Sequence, residues 1–414
     1  MNIFEDLKNR GLVYQVSNEE KTKGCLSNKG ASFYCGFDPS GESLQVGNLL
    51  VIVTAKRLER AGLKPIILVG GATGLVGDPS GKMTERDLKS EKEVEQNGEL
   101  LKKQLGNFFD FNAEAIFVNN YEWFKNYSFL HFIRDIGKKF TISEMIAKDA
   151  VKNRLETGIS FAEFSYSLIQ ATDFLKINEK YNCELQIGGS DQWGNITAGI
   201  ELVRKTSQKE VCGFTWPLVT DASGKKIGKS EGNAVWLDAK MTSPYHFYQF
   251  WVNASDTEVI KFLKYYTFLS LEEIKSLENS IAVAPEKREA QKALAKEVTT
   301  FTHNESAFKN AEKISDNLFG GKIKDLSESD LKQIFTDSSV VKLENFSSEG
   351  MNVIDLIVDS KIVDSKRQAR EDVQNNAIEL NGEKINDINY LVVKKDLLFG
   401  NYLVAKRGKR DYRF

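Results

Sequence analysis

Histidine is scarce in this 414-residue chain, which carries only His131, His246 and His303. They lie far apart, and none has a cysteine or carboxylate at metal-ligand spacing. Neither a zinc site nor a His-centred triad is expected. Cysteine is nearly as rare. Cys25, Cys35, Cys183 and Cys212 form no Cys-x-x-Cys pair, and a chain this long can bury a core without disulfide staples, so reduced thiols in a cytoplasm are expected. An excess of one charge is also missing. Against 58 Asp and Glu stand 56 Lys and Arg, a net of -2, which excludes a bulk basic nucleic-acid binder but not a local basic surface. Long apolar runs are absent: LLVIVTA at 49–55 is far short of the roughly 20 residues that span a bilayer. The opening MNIFEDLKNRG carries acids and no continuous apolar core, so no signal peptide and no membrane association are expected.

What is present is ordinary folded-protein composition, 41% hydrophobic and 28% charged. From about 31 to 220, strand-like runs (ASFYCGF, PIILVG, EAIFVN) alternate with segments of helical period such as LLVIVTAKRLERAG. That alternation predicts a parallel sheet with helices on both faces. Residues 221–235, DASGKKIGKSEGNAV, put three Gly and three Lys into one polar loop. Helical patterns follow from about 243 to 335. Gly320–Gly321 and the Ser-rich stretches around 325–350 read as linker. The last part shows helix pattern, then short strands around Asn-Gly turns.

Five segments invite a chemical reading. In FYCGFDPSGESLQVGNLL (33–50) a strand ends in a turn and a helix begins near Leu44, which is either an anion site at a helix N-terminus or an ordinary strand–turn–helix capped by Ser43. LVGGATGLVGDPSGKMTER (68–86) clusters Gly before Asp78, with Lys82 and Arg86 four apart in a polar stretch that can clamp polyphosphate or simply face solvent. In FAEFSYSLIQATDFLKI (161–177), Phe164, Leu168, Ala171 and Leu175 form an apolar face. Tyr166, Gln170 and Asp173 form a polar stripe at i, i+4 and i+7. The helix is too apolar to lie on the surface, so the stripe meets either internal partners or a small polar ligand. LQIGGSDQWGNI (185–196) places Asp191 after a Gly turn at a strand end, where open α/β sheets hold a ribose. KKIGKS (225–230) sets Lys225, Lys226 and Lys229 on a Gly-flanked loop that can carry ammonium groups to a triphosphate. Alone, each has a bland alternative.

In this order and spacing, YCGFDPS, VGGATGLVGDPSG, GISFAEFSY with Gln170 and Asp173, LQIGGSDQWGNI and KIGKS together resemble the bacterial-type tyrosyl-tRNA synthetases, class I enzymes, across essentially the whole chain. SKRQAR (365–370) with Asn381–Gly382 resembles a small RNA-binding domain. The resemblance implies a Rossmann-like catalytic domain over 1–225, a Lys loop and helical anticodon-binding domain over 226–330, a linker over 331–349 and a small α+β RNA-binding domain over 350–414. It implies L-tyrosine, ATP and tRNA(Tyr) as partners, Mg²⁺ travelling with the nucleotide, no metal held by the protein, and a homodimer. The aromatic-rich stretch 121–155 is the candidate dimer surface.

Carried over residue by residue, Tyr34 and Asp173 meet the substrate phenol, and Asp78, Tyr166 and Gln170 surround its ammonium. Gln192 faces the carboxylate with Gln186 nearby. Cys35, Gly36, Asp38, Gly47, Gly189 and Asp191 hold ATP, Asp191 at the ribose. Lys82, Arg86, Lys226, Lys229 and Ser230 grip the departing pyrophosphate, and Lys229 also binds ATP. One departure stands out. The family's His-x-Gly-His signature reads Gln45-Val46-Gly47-Asn48, with an amide at both His positions. An amide, like a neutral imidazole, can donate a hydrogen bond to a phosphate oxygen. Gln45 and Asn48 are therefore expected to act as uncharged donors with no proton-linked behaviour. The terminal part, 350–414, holds 12 Lys and Arg against 10 Asp and Glu, a net of +2, with the excess at the end.

Overall fold

A computed structural model of the chain describes residues 2–80, 88–220, 227, 229–230, 233–320, 322–335, 340–343, 346–347, 349–408 and 411–414. Lys82, Arg86 and Lys226 lie outside the described residues, and of Lys229 and Ser230 only the backbone is described. The chain forms two compact units: residues 1–238 with 254–294, and residues 239–253 with 295–414.

The first unit is built on a six-stranded sheet: β1 (Gln15–Val16), β2 (Ser32–Phe37), β3 (Lys64–Val69), β4 (Ile116–Asn119), β5 (Leu185–Gly189) and β6 (Cys212–Trp216). Their order is β1-β6-β5-β2-β3-β4. All neighbours are parallel except β1, which runs antiparallel to β6. The apolar run of β3 is buried at every position from Pro65 to Val69, as a strand covered on both faces requires. The order reverses between β2 and β5, which pair only through Phe33–Leu185 and Tyr34–Gln186 and then diverge. Such a switch point opens a crevice at the carboxyl ends of the strands. Helix Phe161–Tyr181 lies over it. Its expected apolar face is in place: Leu168, Ala171 and Leu175 pack with Tyr34, Ile66 and Leu68, and Phe164 packs against that cluster.

The helix after β2 starts at Val46, two residues later than the sequence suggests. Ser43 does not cap it; the Ser43 hydroxyl donates to the Leu44 carbonyl instead. Gln45 takes the cap position in extended conformation.

The second unit contains helices Pro244–Val252, Glu305–Phe319 and Glu328–Ile334. The last of these occupies the beginning of the stretch read as linker. It is nucleated by a capping box in which Ser327 and Asp330 satisfy one another's backbone N–H groups. Beyond it, Val353, Ile357, Val373 and Ile378 belong to a separate small core. A four-stranded antiparallel sheet covers this core, and its first hairpin joins Ile378–Leu380 to Glu383–Ile385. The hairpin turns at Asn381 and Gly382, with φ of +50° and +84°, the conformation an Asn-Gly pair tolerates. The Phe414 ring stacks on Phe335 at 4.6 Å and on Tyr402 at 5.0 Å. No helix among the described residues is long and apolar enough to cross a membrane.

Candidate active site

A cavity of about 470 Å³ opens at the switch point. Its lining brings together residues from every legible motif: Tyr34, Gly36 and Asp38 from the end of β2; Gln45, Gly47 and Asn48 from the following turn; Asp78 from the Gly-rich segment; Tyr166, Gln170 and Asp173 from the long helix; and Gln186, Gly189, Asp191 and Gln192 from β5 and its turn. Cys35 is the exception. Alternation along β2 turns its side chain to the other face, where it is buried and does not line the cavity, and burial pushes its thiol well above the usual range.

One end of the cavity is closed and internally cross-linked. Asp173, 1% exposed, accepts from Asn120 Nδ2 at 3.1 Å and from Trp123 Nε1 at 2.9 Å. Burial pushes its carboxyl well above the usual range, and those two donors pull the other way. Asn120 is fully buried at the carboxyl end of β4. It also donates to Thr73 Oγ1 at 3.2 Å and accepts from the Ala72 N–H at 2.7 Å. Thr73 donates to Asp38 at 2.7 Å, and the Tyr166 hydroxyl donates to the other Asp38 oxygen at 2.7 Å. Asp38 is thus tied to the same closed end of the cavity. Tyr166, Asp38, Thr73, Asn120, Asp173 and Trp123 form one continuous chain.

Two atoms in this region have no such partner. The Tyr34 hydroxyl and Gln186 Oε1 are both buried without a well-formed hydrogen bond, and the Gln186 side chain lies beside the Tyr34 hydroxyl. Burial, then the nearby Asp173 charge, push the Tyr34 phenol well above its usual range, so it stays a neutral donor. An unpartnered buried hydroxyl is costly and marks a place for a ligand. A second network holds Asp78: it accepts from Gln192 Nε2 at 2.7 Å and from the Ser80 N–H at 2.9 Å, while Gln192 Oε1 accepts from Asn195 at 3.2 Å.

The turn at 45–48 is organised differently. Asn48 Oδ1 accepts the Gln45 backbone N–H at 3.0 Å, half of a capping box. Because an N–H requires an oxygen opposite it, the Asn48 amide is oriented with only its NH₂ left to donate elsewhere. The chain just past the Lys loop is pinned to the same turn. Val46 N donates to the Val235 carbonyl at 3.0 Å, Leu237 N donates to the Leu44 carbonyl at 2.8 Å, and Gln45 bridges Trp236. Within the loop, Lys229–Ser230 pairs with Asn233–Ala234 as a short antiparallel ladder, and buried Ile227 lines the cavity.

Asn120, Trp123 and Thr73 are not among the residues the motifs single out; Trp123 lies in the 121–155 stretch, and its indole holds Asp173. A signal existed for Asn120, since it directly follows a strand that ends at the sheet's carboxyl edge. At the far end of the chain, Lys406 pairs with Glu379 at 3.0 Å and Arg407 with Asp372 at 2.8 Å, so part of the terminal basic excess is neutralised internally. Among the described residues, no group of three or more His, Cys, Asp or Glu is arranged to hold a metal ion.

A family description, tRNA synthetases class I (W and Y), matches residues 26–320. A second, the tyrosine–tRNA ligase SYY-like C-terminal domain, matches residues 330–414. The chain is 52% identical over 415 residues to a tyrosine–tRNA ligase of Streptococcus uberis, covering 100% of this chain and 99% of that one. It is 50% identical over 412 residues to tyrosine–tRNA ligase 2 of Enterococcus faecalis, covering 99% and 98% respectively. Among solved structures it resembles a C-terminally truncated mitochondrial tyrosyl-tRNA synthetase of Aspergillus nidulans, with a TM-score of 0.69 and 31% identity over 77% of this chain and 94% of that one. The chain belongs to the class I tRNA synthetases and, within them, to the tyrosine–tRNA ligases.

Proposed function

We propose that the cavity activates L-tyrosine with ATP to tyrosyl-adenylate and pyrophosphate, and that the tyrosyl group then passes to the terminal ribose of tRNA(Tyr). The observation that carries the tyrosine reading is the unpartnered Tyr34 hydroxyl in the same closed end as Asp173. A substrate phenol accepts from the first and donates to the second. Phenylalanine leaves both unmatched, and an indole has no hydroxyl to match them. Asp78, Tyr166 and Gln170 take the ammonium, while Gln192, with Gln186 nearby, faces the carboxylate.

The chemistry needs no titrating nucleophile. The tyrosine carboxylate attacks the α-phosphate in line, and the protein contributes position and charge stabilisation. Gly36, Gly47, Gly189 and Asp191 receive the nucleotide, with Asp191 at the ribose. Gln45 and Asn48 donate to phosphate oxygens. Lys82, Arg86, Lys226, Lys229 and Ser230 hold the pyrophosphate as it leaves, and Mg²⁺ arrives with the nucleotide as its counter-ion. Tyrosine-dependent ATP–pyrophosphate exchange tests this reading. Exchange with tyrosine and not with phenylalanine or tryptophan is expected, and equal exchange with tryptophan would overturn it.

Residues 350–414 bind tRNA in this reading. Truncation after about residue 345 should abolish charging and spare exchange; loss of both defeats the division. The protein works in the cytoplasm as a homodimer. Phe129, Leu130, Ile142 and Phe161, each more than 60% exposed, support a dimer surface on and beside the 121–155 stretch. Light scattering that returns the mass of one chain would refute the dimer.

A further inference from the structure

At the amino-terminal end of β6, two cysteines 187 residues apart in sequence meet. Cys25 sits on helix Glu19–Ser27 and Cys212 opens β6; their sulfurs are 3.7 Å apart. Cys212 Sγ also lies 3.5 Å from the Glu184 carbonyl oxygen, and Cys25 Sγ lies 4.0 Å from Glu184 Oε2. That carboxylate in turn accepts from the Lys21 ammonium at 2.6 Å. The pair is not sealed. Cys25 is 8% exposed and lines an open groove together with Lys21, Asn28, Lys29 and Glu184. Cys35 and Cys183 have no comparable access: both are fully buried, and Cys183 is directed at the carbonyls of Ser32 and Leu185.

The two thiols are unequal. The S–H of Cys212 donated to Cys25, with Lys21 beside it, holds Cys25 below the usual thiol range against the opposing effects of burial and Glu184. The same contact and burial push Cys212 well above it. The more accessible sulfur, Cys25, beside a fully buried second sulfur 3.7 Å away is the arrangement that two-step thiol oxidation uses.

We propose that Cys25 and Cys212 form a reversible oxidation site for hydroperoxides, with Cys25 as the attacking sulfur and Cys212 as the resolving one. In the first step the Cys25 thiolate attacks a peroxide oxygen. An S–O bond forms, the O–O bond breaks, and the departing hydroxide takes up the proton that the Cys25 thiol gave to solvent on ionising, leaving as water. In the second step the Cys212 sulfur attacks Cys25 Sγ. The S–S bond forms, the S–O bond breaks, and the Cys212 proton leaves with the hydroxyl as water. In total two thiols and one hydrogen peroxide give one disulfide and two waters. Closing the bond brings the sulfurs from 3.7 Å to about 2.05 Å. This staples the helix to β6, the strand that leads into the Trp216–Val219 wall of the cavity. A thiol donor such as dithiothreitol reverses it by exchange.

The full-length, reduced chain is exposed to hydrogen peroxide at neutral pH, alkylated and mapped by mass spectrometry without reductant. A peptide joining Cys25 to Cys212, lighter by two hydrogens and released by dithiothreitol, is expected. Cys35 and Cys183 should alkylate only after denaturation. Cys212→Ser should accumulate a sulfenic acid on Cys25 that dimedone traps. In Cys25→Ser, oxidation of Cys212 should be at least about tenfold slower. Neither residue lines the tyrosine cavity, and circular dichroism reports whether each variant is folded. Absence of the cross-link in the folded wild type, its appearance only in denaturant, failure of dimedone to label Cys25 in Cys212→Ser, or undiminished Cys212 oxidation in Cys25→Ser would each overturn the proposal.

Discussion

The two ends of the one cavity are built on opposite plans. At the closed end, polar side chains hold polar side chains: Trp123 and Asn120 hold Asp173, Asn120 holds Thr73, and Thr73 and Tyr166 hold Asp38. At the Gln45–Asn48 end, fixation runs through the backbone, by the Asn48 cap on Gln45 and by the ladder to residues 235–237. Under the proposed function, the difference divides recognition from phosphate chemistry. A phenol hydroxyl is selected by donors and acceptors that cannot move to satisfy a wrong substrate. A triphosphate whose charge is redistributed during reaction needs donors aimed at it from a scaffold that lets the Lys loop join late.

The largest effect should come from breaking the closed end. Asp173→Ala leaves the half-buried Trp123 indole N–H and one buried Asn120 N–H without an acceptor and, under the proposed function, removes the partner of the substrate phenol. Pyrophosphate exchange with tyrosine should lose roughly a hundredfold or more in kcat/KM. A loss below fivefold would mean that the closed end does not read the phenol. Lys229→Ala strikes the other end, and a fall of about a hundredfold in kcat with KM for tyrosine little changed is expected. If KM for tyrosine rises in parallel instead, the two ends are not separable.

A smaller effect sharpens the comparison. Asn120→Ala should cost about tenfold in kcat/KM for tyrosine and leave KM for ATP unchanged, because Asn120 acts through Asp173 and Thr73. An equal rise in KM for ATP would contradict that assignment. The smallest effect is one of shape. Exchange by the native chain should be nearly flat from about pH 6 to 8, since neither signature amide titrates. The Gln45→His, Asn48→His variant should gain a limb falling toward acid near about pH 6.5, because protonation removes the lone pair with which a side chain at position 48 accepts the backbone N–H at 45. A limb of that kind in the native chain, measured by initial-rate exchange, would remove the amides from the account.

Much of the site was legible along the chain wherever function coincided with a local period. Tyr166, Gln170 and Asp173 announce themselves as a polar stripe on an apolar helix, and Asp191 follows a Gly turn at a strand end. Trp123 was not legible. Its partner Asp173 is 50 residues away, and an aromatic among aromatics looks like any surface-forming side chain. Asn120 is 53 residues from Asp173 and 47 from Thr73, and nothing in its immediate neighbours says that one amide serves both. The start of the helix after β2 was misplaced because Ser43 is the better cap by residue type. The pairing of residues 44–46 with 235–237 instead draws the chain on to Gln45.

The sequence by itself determined the alternating strands and helices, the faces they bury, the Gly turns at the strand ends and the motifs that identify the family. All of these depend on side-chain period and backbone preference within a few residues. Only the tertiary structure decided which side chain completes Asp173, that the chain flanking the Lys loop is fastened to the signature turn, and that Cys25 meets Cys212. Each of those is a contact between atoms far apart in sequence, and its geometry exists only once the sheet has set the strands in their order.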